Sequence, residues 1–316
     1  MKQSEAHRGG NSPASLPVDH LLIEPGPDDR ALFRALIAQA RARPTGVPPL
    51  ERLRAGAVAL ETTPAGRQFP AGVDMEAVET AGLSSCWFKP AERRRAAVVL
   101  YFHGGGYVCG SVTAARGIAG SLALAFGAPV LALGYRQSPE HPFPAALEDG
   151  QAGYRWLRAQ SESDIFIVGD SAGGQLAMAV AARAARDGMP ALGAISSSGW
   201  FDLDMAGPSW RTNRDTDLSD ETLGRFFRAS YIGQDPIPPG AMLQPEDIAA
   251  LPPILVQAAG GEMALDDSTW LVASARRAGI ATRYEVYDGL PHNFVKFRCD
   301  AGDLAISRMA AWAAEL

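Results

Sequence analysis

Cysteine is scarce in this chain: Cys86, Cys109 and Cys299 are the only three in 316 residues. An odd, low count builds no disulfide framework, and none of the three falls into a Cys-x-x-Cys or other metal-ligand spacing. A reducing cytosol is the expected compartment. Histidine is also sparse, with five residues, and positive charge is short, with 29 Lys and Arg against 35 Asp and Glu. A net charge of -6 and a pI near 5.4 argue against nucleic acid and anionic membrane as partners. The opening residues, Met1 to Gly10, lack the apolar core of a secretory signal. The one long uncharged run, Gly117 to Tyr135, is broken by Gly127-Ala128-Pro129. It therefore reads as a buried helix, a turn and a strand rather than a membrane span. Internal repeats and low-complexity tracts are absent.

What remains is a large apolar content, 47%, ample for one sizeable core. Residues 1 to about 17 are polar, and disorder is expected there. Helical patterns at Ala31–Ala38 and Leu50–Arg54 follow, interrupted by Pro44, Pro48 and Pro49. From about residue 72 short β-type runs alternate with helical ones. The runs are Ala96–Phe102, Val130–Leu133, Ile165–Val168, Leu192–Ile195, Ile254–Gln257 and Thr282–Tyr287. Helices are expected near 113–126, 144–160, 171–187, 266–278 and 302–315. Continuous apolar strands alternating with helices predict an α/β fold with a mainly parallel sheet covered on both faces. Residues 200–240 break the alternation with an aromatic-rich insertion and a helix capped at Ser219-Asp220. It lies on the C-terminal side of a strand, where open α/β sheets bind ligands, so a lid is expected.

The richest motif is Gly169-Asp170-Ser171-Ala172-Gly173, between the run ending at Val168 and a small-residue helix. Strand, Gly-x-Ser-x-Gly, helix is the setting of a nucleophile elbow, whose tight turn excludes side chains two residues to either side of the serine. Acyl transfer at that serine needs a base, an acid and oxyanion donors. His292, in the loop after the last strand, is the candidate base, since it shares the sheet rim with Ser171. His7 and His20 lie in the N-terminal arm, His141 sits in a Pro-rich loop, and His103 reads as a loop brace. His103-Gly104-Gly105-Gly106 follows the strand ending at Phe102. Its bare backbone suits donation to an alkoxide, together with the Ala172 N–H. It lacks the third glycine and the Gly-Lys-Ser/Thr of nucleotide loops. For the acid, Glu262 directly follows a strand end, whereas Asp266 and Asp267 suit the first turn of the next helix. Cys109 beside the glycine loop reads as buried packing, with a thiol lining the acyl pocket as the sharper alternative.

The glycine loop, the elbow and the stretch Tyr135-Arg136-Gln137-Ser138-Pro139-Glu140-His141-Pro142-Phe143-Pro144-Ala145 together resemble the hormone-sensitive-lipase-like esterases, a branch of the α/β-hydrolases. The resemblance covers most of residues 70–316. It implies an α/β-hydrolase fold with a mainly parallel eight-stranded sheet and helices on both faces. Residues 18–62 and 200–242 would form a helical cap over a core of 63–199 and 243–316. It implies hydrolysis of short- to medium-chain acyl esters through an acyl-enzyme, without cofactor or metal. The partner would be a small-molecule ester, and a homodimer through the last strand fits the family. Ser171 is implied as nucleophile and His292 as base. Gly105, Gly106 and Ala172 are implied as oxyanion donors, with Gly104 shaping the loop. The family's usual aspartate falls on Glu262, as in a subset of members, and Asp266 stays open as an alternative. Asp170 and Glu140 are implied as hydrogen-bonding supports. Where the family has Ser-Pro-Trp-x-Asp, this chain has Ser198-Gly199-Trp200-Phe201-Asp202, so extra freedom is expected at Gly199. Phe33, Phe201, Leu203, Met205, Phe226 and Phe227 are candidates for the cap side of the pocket. The same machinery serves an amidase or a deacetylase. Plant hormone receptors that resemble the family lack the histidine that this chain has as His292.

Overall fold

The computed structural model describes residues 18–43, 46–160, 163–233 and 235–316. The arm before residue 18, with its expected disorder, and Pro44 lie outside the described residues. The chain opens with strand β1 (Leu21–Ile23), then helices α1 (Pro27–Arg41) and α2 (Leu50–Ala59). Strands β2 (Val73–Thr80) and β3 (Leu83–Pro90) form a hairpin, turned at Ala81 and Gly82, both with positive φ. Strand β4 (Ala97–Phe102), α3 (Arg116–Phe126) and β5 (Val130–Ala132) follow. Gly127 closes α3 in the left-handed conformation (φ 59°), so the uncharged run is the helix, turn and strand expected. The core continues through α4 (Ala145–Gln160), β6 (Asp164–Asp170), α5 (Ala172–Arg186) and β7 (Gly193–Ser197). The insertion carries α6 (Ser209–Thr212) and α7 (Glu221–Ile232), followed by α8 (Pro245–Ala249). Strand β8 (Ile254–Ala259), α9 (Leu265–Arg277), β9 (Thr282–Tyr287) and α10 (Asp300–Ala313) complete it.

One sheet holds all nine strands, in the order β1-β9-β8-β7-β6-β4-β5-β3-β2. Every pairing from β1 to β5 along this order is parallel; β3 joins β5 and β2 antiparallel. Strands β4 and β6 are apolar and almost fully buried, because helices cover both faces. Helix α5 packs so closely on the sheet that its exposed share is nearly nil. Its Leu176, Met178 and Val180 are fully buried, each contributing about 1.5–3 kcal/mol by leaving water.

The expected sheet had eight strands; the ninth is β1, three residues that pair with β9 as Leu21↔Glu285 to Ile23↔Tyr287. On its outer side the last strand is thus paired along Glu285–Tyr287, while Thr282–Tyr284 has no strand neighbour there among the described residues. Among the described residues, no helix is long and apolar enough to cross a membrane.

The insertion helix starts where the sequence places its cap, with Asp220 accepting from the Leu223 N–H at 2.8 Å. The N-terminal helices dock on the core through charged ties. Asp29 of α1 accepts the Asp300 and Ala301 N–H groups at the start of α10. Arg54 of α2 donates to the Val108 and Ser138 carbonyls and pairs with Glu140 at 2.7 Å.

Candidate active site

Parallel strands share one C-terminal rim, and four of their ends converge. Strand β6 runs directly into Ser171, the N-cap of α5, held at φ 56° and ψ -125°. An L-residue adopts that backbone only under constraint from its neighbours. The constraint is visible. The Ser171 N–H donates to the Ser197 carbonyl at 2.9 Å, and the Ser171 carbonyl accepts from Gly174, Gln175 and Trp200. A Cβ on Gly169 would lie 2.0 Å from the Gly173 carbonyl oxygen, and one on Gly173 2.1 Å from that of Phe102. Both glycines are thus required by space.

Adjacent strand β4 ends at Phe102 and opens the glycine loop. A Cβ on Gly104 would stand 2.9 Å from Ser171 Cβ. The Gly104 N–H donates to Asp170 Oδ1 at 3.1 Å, so it braces the loop. The N–H groups of Gly105, Gly106 and Ala172 have no acceptor among the described residues. Gly105 and Gly106 both have positive φ, and Phe227 of α7 packs flush on Gly106. Tyr107 stacks on Tyr231 of the insertion at 3.7 Å, and its hydroxyl bonds Gln175. His103 stacks on Tyr135, and burial pushes its pKa down to about 4, so it is neutral and braces the loop.

Beyond β8 and β9 lie the acid and base candidates. His292 Nε2 is 2.8 Å from Ser171 Oγ, and His292 Nδ1 is 2.7 Å from Glu262 Oε2. Glu262 is fully buried, and its other oxygen accepts the Ala259 N–H at 2.9 Å. Burial disfavours the imidazolium of His292, but the hydrogen bond and charge of Glu262, with the Asp217 charge, outweigh it and raise its pKa. With Nδ1–H donated to Glu262, Nε2 is the lone-pair nitrogen facing the serine.

The structure thus brings Ser171, His292, Glu262 and the glycine loop together. Asp266 faces elsewhere and accepts the Ser209 N–H at 2.7 Å, while Asp267 accepts from Phe201, Asp202 and the Trp210 indole. Glu140 pairs with Arg54. The expected freedom at Gly199 is not there: a Cβ would lie 2.3 Å from the Phe201 ring and 2.4 Å from Ser196 Oγ, so crowding demands glycine. Of the proposed pocket-lining residues, Phe33, Phe201, Leu203 and Met205 are buried core, and Phe226 and Phe227 are half-exposed. Phe33 packs edge-on against Phe297.

Sequence patterns did not mark two charged residues beside this site. Lys296 Nζ lies 3.1 Å from Asp170 Oδ2. Asp170 also accepts from the Tyr101 hydroxyl. Burial pushes its pKa up, but the Lys296 charge and these donors bring it below the usual carboxylate value. Asp217 in the insertion accepts the His292 N–H at 2.9 Å. A cavity of about 100 Å³ beside the glycine loop is lined by Lys296, Cys109, Ala57 and Leu60. The Cys109 thiol is buried and its pKa raised, which keeps it protonated and weakly nucleophilic. A roomier groove of about 620 Å³, with His20, Arg276 and Tyr284 in its walls, includes neither Ser171, His292, Glu262 nor the glycine loop.

Comparison with known proteins agrees with this picture. A family model described as alpha/beta hydrolase fold matches residues 99–296. An acetyl-hydrolase of Streptomyces hygroscopicus is 38% identical over 213 residues, 65% of this chain and 70% of its own length. A hormone-sensitive lipase from a metagenome library superposes with a TM-score of 0.84 at 31% identity, covering 91% of this chain and 98% of its own. The esterase EstE5, in a crystal soaked with p-nitrophenyl butyrate, superposes with a TM-score of 0.83 at 33% identity, covering 92% and 98%. From the elbow outward, motif, strand order and relatives agree: the chain belongs to the α/β-hydrolase fold family, and within it to the hormone-sensitive-lipase-like carboxylesterases.

Proposed function

We propose that this carboxylesterase cleaves short- to medium-chain acyl esters through an acyl-enzyme on Ser171. The reading is carried by one observation, the unbroken hydrogen-bonded line from Ser171 Oγ through His292 to Glu262. Ser171 Oγ attacks the ester carbonyl as its proton passes to His292 Nε2. Glu262 holds the ring in the tautomer that presents Nε2 and balances the imidazolium charge. The carbonyl oxygen becomes an alkoxide against the N–H groups of Gly105, Gly106 and Ala172. Each such donor is worth about 10²–10³ in rate. Collapse breaks the bond to the alcohol oxygen, which takes the proton from His292. Water, deprotonated by the same nitrogen, then attacks the acyl carbonyl; the bond to Ser171 Oγ breaks, Oγ takes the proton back from His292, and the acid leaves.

Helices α1 and α2 and the insertion cover the rim in this reading, as the contacts of Arg54 and Phe227 support. Acyl groups of the size named for the relatives, acetyl and butyryl, are the expected range. Three buried, unpaired cysteines support the cytoplasm as its compartment. A homodimer belongs to the same proposal; Leu21 and Leu22, half-exposed on the outer strand, support it, and sedimentation tests it.

The decisive experiment is Ser171→Ala. It should keep the circular dichroism of the parent and lower kcat on p-nitrophenyl butyrate by about 10⁵-fold or more. Turnover at the parent rate ends the proposal. A p-nitrophenyl ester series from acetate to dodecanoate sets the acyl range, and matched anilides measure how much of the activity extends to amides.

A further inference from the structure

The carboxylate of Asp217 is almost fully buried, and backbone donors occupy both of its oxygens. Oδ1 accepts the N–H of His292 at 2.9 Å and of Leu218 at 2.7 Å, and Oδ2 accepts the N–H of Met263 at 2.8 Å. Met263 follows Glu262, so one side chain grips the backbone at the base and beside the acid, on loops that leave two neighbouring strands. Its segment adds further ties. Thr216 Oγ1 donates to the Gly261 carbonyl at 2.8 Å. Asn213 Nδ2 donates to the carbonyls of Gly260, at 3.2 Å, and Glu262, at 2.9 Å. Four consecutive residues, Gly260 to Met263, are thus held through their backbone by side chains of the insertion.

We propose that Asp217, with Asn213 and Thr216, positions both His292 and Glu262, so that the insertion belongs to the catalytic frame as well as covering it. The inference rests on the Ser171–His292–Glu262 reading. Its physical basis is the sharp dependence of catalysis on placement, in which an error of about 1 Å costs roughly 10²-fold. Glu262 can meet Nδ1 at 2.7 Å only while its own loop and the His292 loop keep their relative position. Burial pushes the Asp217 pKa up, but its backbone donors and the neighbouring His292 favour the ionised form, and a carboxylate so held is a stiff tie for that purpose. Three charged groups bear on the His292 ring: Glu262 from the β8 loop, Asp217 from the insertion, and Lys296, which is itself paired with Asp170. Glu262 and Asp217 favour the imidazolium, and Lys296 opposes it.

The test is Asp217→Asn, which keeps the volume but removes the charge and turns an amide toward the backbone donors. The expected result is kcat on p-nitrophenyl butyrate lower by about 10–100-fold per titrated active site, with KM within about threefold. The acid limb of kcat/KM should move to lower pH, because a charge that favours protonated His292 is gone. Lower thermal stability with kcat and the acid limb unchanged is the signature of a purely structural tie and overturns the proposal. Thr216→Val supplies the second arm, since that side chain is exposed and its loss spares the core. A threefold or greater fall in kcat at unchanged KM supports the proposal. Parent-like kcat in Thr216→Val, beside an Asp217→Asn protein that is parent-like or unfolded, overturns it. Failure of the underlying triad looks different: Ser171→Ala would then stay active, whatever Asp217→Asn does.

Discussion

The two halves of the site are built on different principles. The serine side, from His103 to Gly106 and from Gly169 to Gly174, is fixed by crowding, of main chain on main chain at Gly105, Gly169 and Gly173 and of side chains at Gly106 and Gly174. Added methyl groups at Gly169 and Gly173 would fall about 2 Å from carbonyl oxygens. On the proposed acid–base side, Gly260 to Met263 and His292 are also held by side chains of a segment some 45–75 residues away, beside the backbone bond from the Gly261 N–H to the Leu290 carbonyl. Crowding leaves its mark in contiguous residues, because only glycine fits. Long-range hydrogen bonding leaves none, because the donors and acceptors are ordinary polar residues in an ordinary polar stretch.

The sharpest way to break that contrast is at the acid. Glu262→Gln should lower kcat by about 10³–10⁴, since an amide cannot balance an imidazolium. Asp266→Asn should stay within about threefold of the parent, because its carboxylate serves Ser209. Steady-state kinetics on one ester decides between them, and the reverse ranking moves the acid to Asp266. On the serine side, Gly173→Ala should cost about 3 kcal/mol or more of stability, through overlap with the Phe102 carbonyl that a packed core cannot relieve. Urea titration reads this directly, and a parent-like midpoint would mean that the elbow is not held by crowding.

A smaller effect separates the two charges that flank His292. The His292 pKa is raised, so the proposed base is lost to protonation as pH falls through a value above that of an ordinary histidine. Lys296→Gln removes a cation that opposes that protonation, so the acid limb of kcat/KM should move to higher pH, opposite to Asp217→Asn. An unmoved limb would show that Lys296 is screened from the ring. The smallest effect is expected at Glu140. Its pKa is held at about 2 by the hydrogen bond from Arg54, so the pair's contribution is present above the ordinary glutamate value and fades as pH falls toward 2. Both side chains are partly exposed, and Glu140→Gln should cost at most about 1 kcal/mol in a melting curve at pH 7.

The same division governs what could be read from the chain. The inner strands were legible because burial on both faces makes them continuous apolar runs, as in Ala97–Phe102 and Ile165–Val168. The β2–β3 hairpin was not, because Glu76, Glu79 and Lys89 interrupt its apolar residues without a clean period of two on a wetter surface. Strand β1 is too short to carry any period. At the site, the elbow and the glycine loop announce themselves, and His292 and Glu262 are candidates by their place after strand ends, with Asp266 left open beside Glu262. Asp217 and Lys296 have no local signature; only the folded chain reveals that one accepts the base's N–H and the other neutralises Asp170.

Strand β1 carries a consequence for how the molecule is made. Leu21 pairs with Glu285, Asp29 accepts from Asp300 and Ala301, and Phe33 meets Phe297. Segments that leave the ribosome early must wait for partners that leave it late. His292 lies inside that late block. Both β1 and the proposed triad therefore wait for the same late segment, Glu285 to His292, so hydrolysis cannot begin before that segment has been made.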